Sequence, residues 1–179
     1  YLKYAQRYYI AALAKSSGLF TPFNPSSASG NSVERILVDG SDVYVGGNYT
    51  AIGGQSRNGL AKLDKTTGVA DPLWNPNPNS GTTIYGLSIV GSSLYVGGIF
   101  TTIGGVSRLR LGAVDKATGT LTSWNPQADY TVNCLTTNGT EIYAGGSFGY
   151  LKYAQRYYIA ALAKSSGLFT PFNPSSASG

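Results

Sequence analysis

Histidine is missing from this 179-residue sequence, and cysteine occurs once, at Cys134. Without histidine there is no Ser-His-Asp or Cys-His arrangement for nucleophilic catalysis. A single cysteine allows no disulfide within the chain, and a Cys/His zinc site has no ligands to draw on. Charge is sparse as well, at 12% of residues. Of the net charge of +5, three units come from Lys152, Arg156 and Lys164 in the last thirty residues, which add no acid, so the other 149 residues carry +2. That is too little to track phosphates, and no nucleic-acid partner is expected. No apolar run approaches the roughly 18 residues of a membrane-spanning helix, so no membrane insertion is expected. The chain starts at Tyr1, as a processed or excised chain would, and says nothing about a leader.

The remaining candidate chemistries are weak. The turn "DGSD" at Asp39–Asp42 lacks the alternating oxygen ligands of a calcium loop. The stretches "VGGNYTAIGG" and "VGGIFTTIGG" lack the Gly-Lys-Ser/Thr ending of a phosphate loop, and their glycines suit close approach of backbones. No catalytic residue, cofactor or metal is predicted, and the chain is not expected to be an enzyme. Cys134, in the alternating stretch "TVNCLTTNG", is expected to be a small buried hydrophobe.

What the sequence does have is repetition. The segment "YLKYAQRYYIAALAKSSGLFTPFNPSSASG" occupies residues 1–30 and, letter for letter, residues 150–179. Between the two copies, three segments align on Tyr44, Tyr95 and Tyr143, at steps of 51 and 48 residues. Continuing from the end back into the start gives a step of 50, and the three steps total 149, the offset between the identical segments. The chain is therefore one 149-residue unit plus the first thirty residues of the next. Each repeat reads as four short strands joined by glycine turns, because Val, Ile, Leu, Tyr and Thr runs alternate with Gly, Asn, Asp and Ser clusters. Four antiparallel strands in about 50 residues predict an all-β fold of propeller-like blades. The expected division is a half blade over residues 1–30, holding the last two strands, then blades over 31–80, 81–128 and 129–179.

Recurrent residues have packing explanations. Trp74 and Trp124 precede Asn-Pro, and Phe23 and Phe172 replace them in "FNP". A buried aromatic there removes roughly 150–250 Å² from water, a gross gain of about 4–6 kcal/mol, enough to lock one blade onto the next. Arg57 and Arg108, with Arg7 and Arg156, hold equivalent places. Bonds to backbone carbonyls or a carboxylate are expected of them, with a ligand-binding ring of arginines as the alternative.

The pattern "YVGGxFTxIGGxSRxxLAxxDxxTGxxxxWNP" resembles the delta-60-type bacterial β-propeller repeats. The resemblance covers essentially the whole chain and implies a secreted, extracellular or cell-surface tandem repeat protein, without implying a chemistry. The third repeat departs from it. Lys152-Tyr153 stand where Gly-Gly should be, and Ala163, like Ala14, replaces the turn aspartate seen at Asp64 and Asp115.

One surface is a candidate for contact. Tyr1, Lys3, Tyr4, Arg7, Tyr8 and Tyr9 crowd one loop and the strand after it, and the set returns as Tyr150, Lys152, Tyr153, Arg156, Tyr157 and Tyr158. Aromatics interleaved with cations suit a subunit contact, a glycan or another ligand, or packing on their own sheet. Three blades do not close a propeller, and a half blade exposes an edge. The expected partner is the protein itself, as adjacent tandem units or a homopolymer. The expected function is an extracellular filament or surface stalk built by stacking or end-to-end joining. The alternative is a closed propeller acting as a surface adhesin for glycan or protein.

Overall fold

The computed structural model describes residues 7, 9–25, 29–152 and 154–174. The described chain is all-β, with fourteen strands and no α-helix. Three antiparallel sheets follow one another along it, and each is built the same way. In the first, β1 (Ser29–Asp39) turns through Gly40 into β2 (Asp42–Ile52) and pairs along one flank of it. The other flank of β2 pairs with β3 (Gln55–Ser56) in a short hairpin and then with β4 (Leu60–Asp64). The second has β5 (Ile84–Val90), β6 (Ser93–Gly98) and β9 (Leu111–Asp115), with the hairpin β7 (Thr102–Ile103) and β8 (Val106–Ser107) between β6 and β9. The third repeats this with β10 (Val132–Thr137), β11 (Glu141–Gly146), β12 (Tyr150–Leu151), β13 (Ala154–Gln155) and β14 (Ile159–Ala163).

The expected fourth strand of each repeat is reduced to one bridge: Leu63 with Ala70, Val114 with Leu121 and Leu162 with Phe169. Residues 9–25 form the same hairpin, with Leu13 bridging Phe20. Proline contributes in the first and third repeats, where Pro72 and Pro171 stand two residues past the bridge and have no N–H to continue a ladder. The second repeat has no proline before Pro126 and stops at the same place, where Arg108 takes the Thr122 carbonyl. The short hairpins are additional to the four strands read in each repeat. The first turns on Gly53 and Gly54, both at positive φ, which suits a two-residue turn that matches strand twist. Lys152 takes the corresponding place in the third sheet at φ 52°, so the departure in sequence keeps the hairpin and accepts left-handed strain of about 1–2 kcal/mol.

Period-two alternation sends each sheet's two faces to different neighbours. Val43 and Val45 of β2 face Ile10 and Phe23, whereas Tyr44 faces the second sheet with Leu60 and Trp74, against Leu87, Leu94 and Val96. Tyr95, Leu111 and Trp124 face the third sheet in the same manner, against Leu135, Ile142 and Leu162. The core is thus a series of layers between consecutive sheets. Paired glycines permit the spacing. A Cβ on Gly46 would meet Ile84 of the second sheet at 2.7 Å, and one on Gly97 would meet Val132 of the third at 2.6 Å.

Candidate functional site

Tyr1, Lys3, Tyr4, Tyr8 and Tyr153 of the tyrosine-rich surface lie outside the described residues. Of the rest, Tyr9 has φ 61° and its hydroxyl donates to the Gly30 carbonyl at 2.8 Å. Tyr150, Tyr157 and Tyr158 are exposed, and the Tyr157 and Tyr158 rings lie 6.1 Å apart. Tyr150 pairs with Gln155 across the β12–β13 hairpin, and the Gln155 amide donates to the Tyr157 hydroxyl, so these tyrosines form one rim. The arginines engage elsewhere. Arg156 lies over the Phe169 ring at 4.3 Å and donates to the Gln155 carbonyl, and Arg7 lies over Phe20 at 5.0 Å. Lys152 is exposed at its turn.

Arg57 and Arg108 are buried and donate to backbone. Arg57 bonds the carbonyls of Ser56 and Asp71, both at 2.7 Å, and Arg108 bonds those of Ser107 and Thr122 at 2.8 and 2.7 Å. Burial lowers both guanidinium pKa values from their ordinary range. These bonds tie the hairpin to the segment that carries the next tryptophan. Cys134 corrects the sequence expectation. It is exposed, because its side chain points away from the second sheet, over Gly145 of its own sheet.

The aromatic series forms the most organised feature, and its tyrosines served in the sequence only to set the repeat register. Tyr44 meets Trp74 edge-on at 5.6 Å, and its hydroxyl donates to the Lys116 carbonyl in the second sheet. Tyr95 meets Trp124 at 4.9 Å and donates to the Lys164 carbonyl in the third. Burial, reinforced by Asp42, Asp39 and Asp115, pushes the Tyr44 hydroxyl well above its ordinary pKa, and burial raises Tyr95. Tyr143 meets Phe172 at 5.6 Å, yet its hydroxyl donates to Glu141 of its own strand, the bond that chiefly raises its pKa. The lysines recur at the same turn, and Lys116 also pairs with Asp39 across the first two sheets at 2.7 Å. The joint presence of the Tyr and Lys series in the repeats was the signal that would have found these contacts. Tyr44→Phe and Tyr95→Phe are each expected to cost about 1 kcal/mol by leaving a carbonyl unpaired, whereas Tyr143→Phe leaves stability nearly unchanged; denaturant unfolding measures all three.

The remaining carboxylates close turns. Asp64 accepts from the backbone and hydroxyl of Thr67 and the backbone of Thr66, and Asp115 accepts from the same groups of Thr118 and Ala117. These bonds hold both carboxyls below the usual range, led in each case by the threonine backbone. A carboxylate whose folded pKa is depressed contributes stability that is present above its unfolded value near 4 and is lost as pH falls through the folded value. The thermal midpoint is therefore expected to fall below about pH 4, and Asp64→Ala with Asp115→Ala to flatten that slope. The third turn has Ala163 and already lacks this dependence.

Among the described residues no three His, Cys, Asp or Glu side chains are grouped to hold a metal, and no helix is long and apolar enough to cross a membrane. Neither a family model nor a curated protein matches the chain.

Proposed function

We propose that this chain is a secreted, non-enzymatic structural protein of the delta-60 type. Its sheets are propeller-like blades that stack end to end into an extracellular filament or surface stalk. The observation that carries this reading is the behaviour of one sequence in two places. Phe23 and Phe172 are the same residue of the duplicated segment, and Phe23 is 3% exposed while Phe172 is 40% exposed. Leu13 and Leu162 are reversed, at 58% and 0%. Each copy covers one neighbour and leaves its other apolar face uncovered. Repetition then adds length without a new fold, since each sheet packs only on its neighbours. The engaged carboxylates of Asp39, Asp64, Asp71 and Asp115 support a scaffold rather than a catalyst.

Negative-stain electron microscopy of ligand-free protein tests this, with denaturing gel mass on the same sample. Long regular fibres are expected. Discrete uniform rings would overturn the filament and favour a closed adhesin, for which the exposed rim of Tyr150, Tyr157 and Tyr158 offers the binding surface.

A further inference from the structure

Lys65 lies at the edge of a cleft on the outer face of the first sheet, lined with Ile10, Phe23, Ile36, Val38 and Val43. Shifted by the 51-residue step, Ile36, Val43 and Lys65 correspond to Leu87, Leu94 and Lys116 of the second sheet. Leu87 and Leu94 pack about Tyr44 with Leu60 and Trp74, and the Lys116 carbonyl accepts its hydroxyl. Ile10 and Phe23 stand where Leu60 and Trp74 stand. The cleft thus has the walls, the aromatic partner and the lysine carbonyl of a tyrosine seat. Ile36 is 47% exposed there, although its counterparts Leu87 and Leu135 are 4% and 8% exposed.

We propose that this cleft is the docking site for Tyr143 of a second copy of the chain, whose third sheet packs on the first sheet as the second packs on the third here. The proposal rests on the end-to-end reading above and supplies the residues of the joint. Residues 7–25 of the receiving copy give way to residues 156–174 of the second copy. The two segments are identical, so the contacts of Ile10 and Phe23 with Val43, Ala61 and Leu63 are remade by Ile159 and Phe172. The second copy adds Tyr143, already set edge-on against Phe172, whose hydroxyl turns from Glu141 to the Lys65 carbonyl. It also covers Ile36 and Val38. A second copy is the occupant because the receiving face already holds that copy's own sequence.

Cys134 supplies the test. Gly86 is its counterpart in the second sheet by pairing register, and a Cβ on Gly86 would lie 3.0 Å from the Leu135 side chain. Ile36 is the first-sheet counterpart of Leu135. Cys134 of the second copy therefore comes within the roughly 3.5–4.5 Å Cβ separation that a disulfide needs from position 36. Within one chain the second sheet separates these positions.

The full chain carrying Ile36→Cys, refolded at high concentration and oxidised, is expected to give a ladder of disulfide-linked multimers. Peptide mapping should join positions 36 and 134, and Cys134→Ser should abolish the ladder. In the otherwise native chain, Tyr143→Ala should weaken association at least tenfold by sedimentation, while the monomer's unfolding midpoint stays unchanged. Fibres that form without the 36–134 linkage, or with only 36–36 or 134–134 linkages, overturn this joint and leave the filament standing. Closed rings that carry the 36–134 linkage keep the joint and overturn the filament. A protein that neither assembles nor cross-links overturns both.

Discussion

Trp124→Ala is expected to lower stability by about 3–5 kcal/mol, the range for removing a large buried aromatic. The ring is buried between the second and third sheets, against Leu135, Ile142 and Leu162. It meets Tyr95 edge-on at 4.9 Å, and its Nε1–H donates to the Ala163 carbonyl at 3.1 Å. Alanine would leave a cavity that two hydrogen-bonded sheets cannot close, and it would leave that carbonyl without its side-chain donor. Phe172→Ala is the internal comparison. It occupies the equivalent place on the third sheet but is partly exposed, and it should cost about 1 kcal/mol or less in the single chain. Urea unfolding of both variants gives the difference directly. Equal losses would show that Trp124 does not lock the two sheets together.

Gly98→Ala is expected to be at least as damaging, for a different reason. The added Cβ would lie 2.1 Å from the Thr83 carbonyl oxygen and 3.0 Å from the Ile84 Cα, backbone atoms just before the paired strand β5 and at its start. Neither can turn aside as a side chain can. The Thr83 oxygen also accepts from the Ile99 N–H at 2.9 Å, and the pairing is already bulged between Ile84 and Gly86. Separating the strands to admit a methyl breaks this bond and shifts the register. Overpacking costs about 1–3 kcal/mol where side chains can adjust, and more is expected here because the backbone must move. Because the second sheet contributes to two of the three core layers, the loss should reach both. Gly146→Ala meets the Thr131 carbonyl at 2.1 Å in the third sheet and should instead leave the first two sheets ordered. Hydrogen exchange resolved by strand distinguishes these patterns. Slow exchange persisting throughout β5 and β6 of Gly98→Ala would contradict the argument.

Much of this was legible in the residues. Alternation of apolar and polar positions, with glycine at each turn, was enough to predict antiparallel β-structure, because a strand's side-chain period is two and tight turns need positive φ. The equivalent places of Arg57 and Arg108 suggest bonds to backbone carbonyls or a carboxylate, and the structure has the carbonyls. A full fourth strand does not form. Leu, Trp and Thr favour strands, yet the ladder ends after one bridge, with Pro72 and Pro171 beyond it in the first and third repeats and Arg57 and Arg108 holding the Asp71 and Thr122 carbonyls. Cys134 was misplaced because alternation tells which residues share a face, without telling whether that face has a neighbour.

The sequence by itself determined the 149-residue period, the three equivalent sheets and the identity of the two end segments. These are properties of pattern, set by local hydrogen bonding and turn chemistry. Only the tertiary structure decided which face of each segment is covered. Tyr44 and Tyr95 reach a lysine carbonyl in the next sheet. Tyr143, at the same place in its repeat but with Glu141 where Asp42 and Ser93 stand and no further sheet against it among the described residues, turns back to Glu141. The difference arises because burial depends on what packs against a strand, and that is a property of the neighbour rather than of the strand.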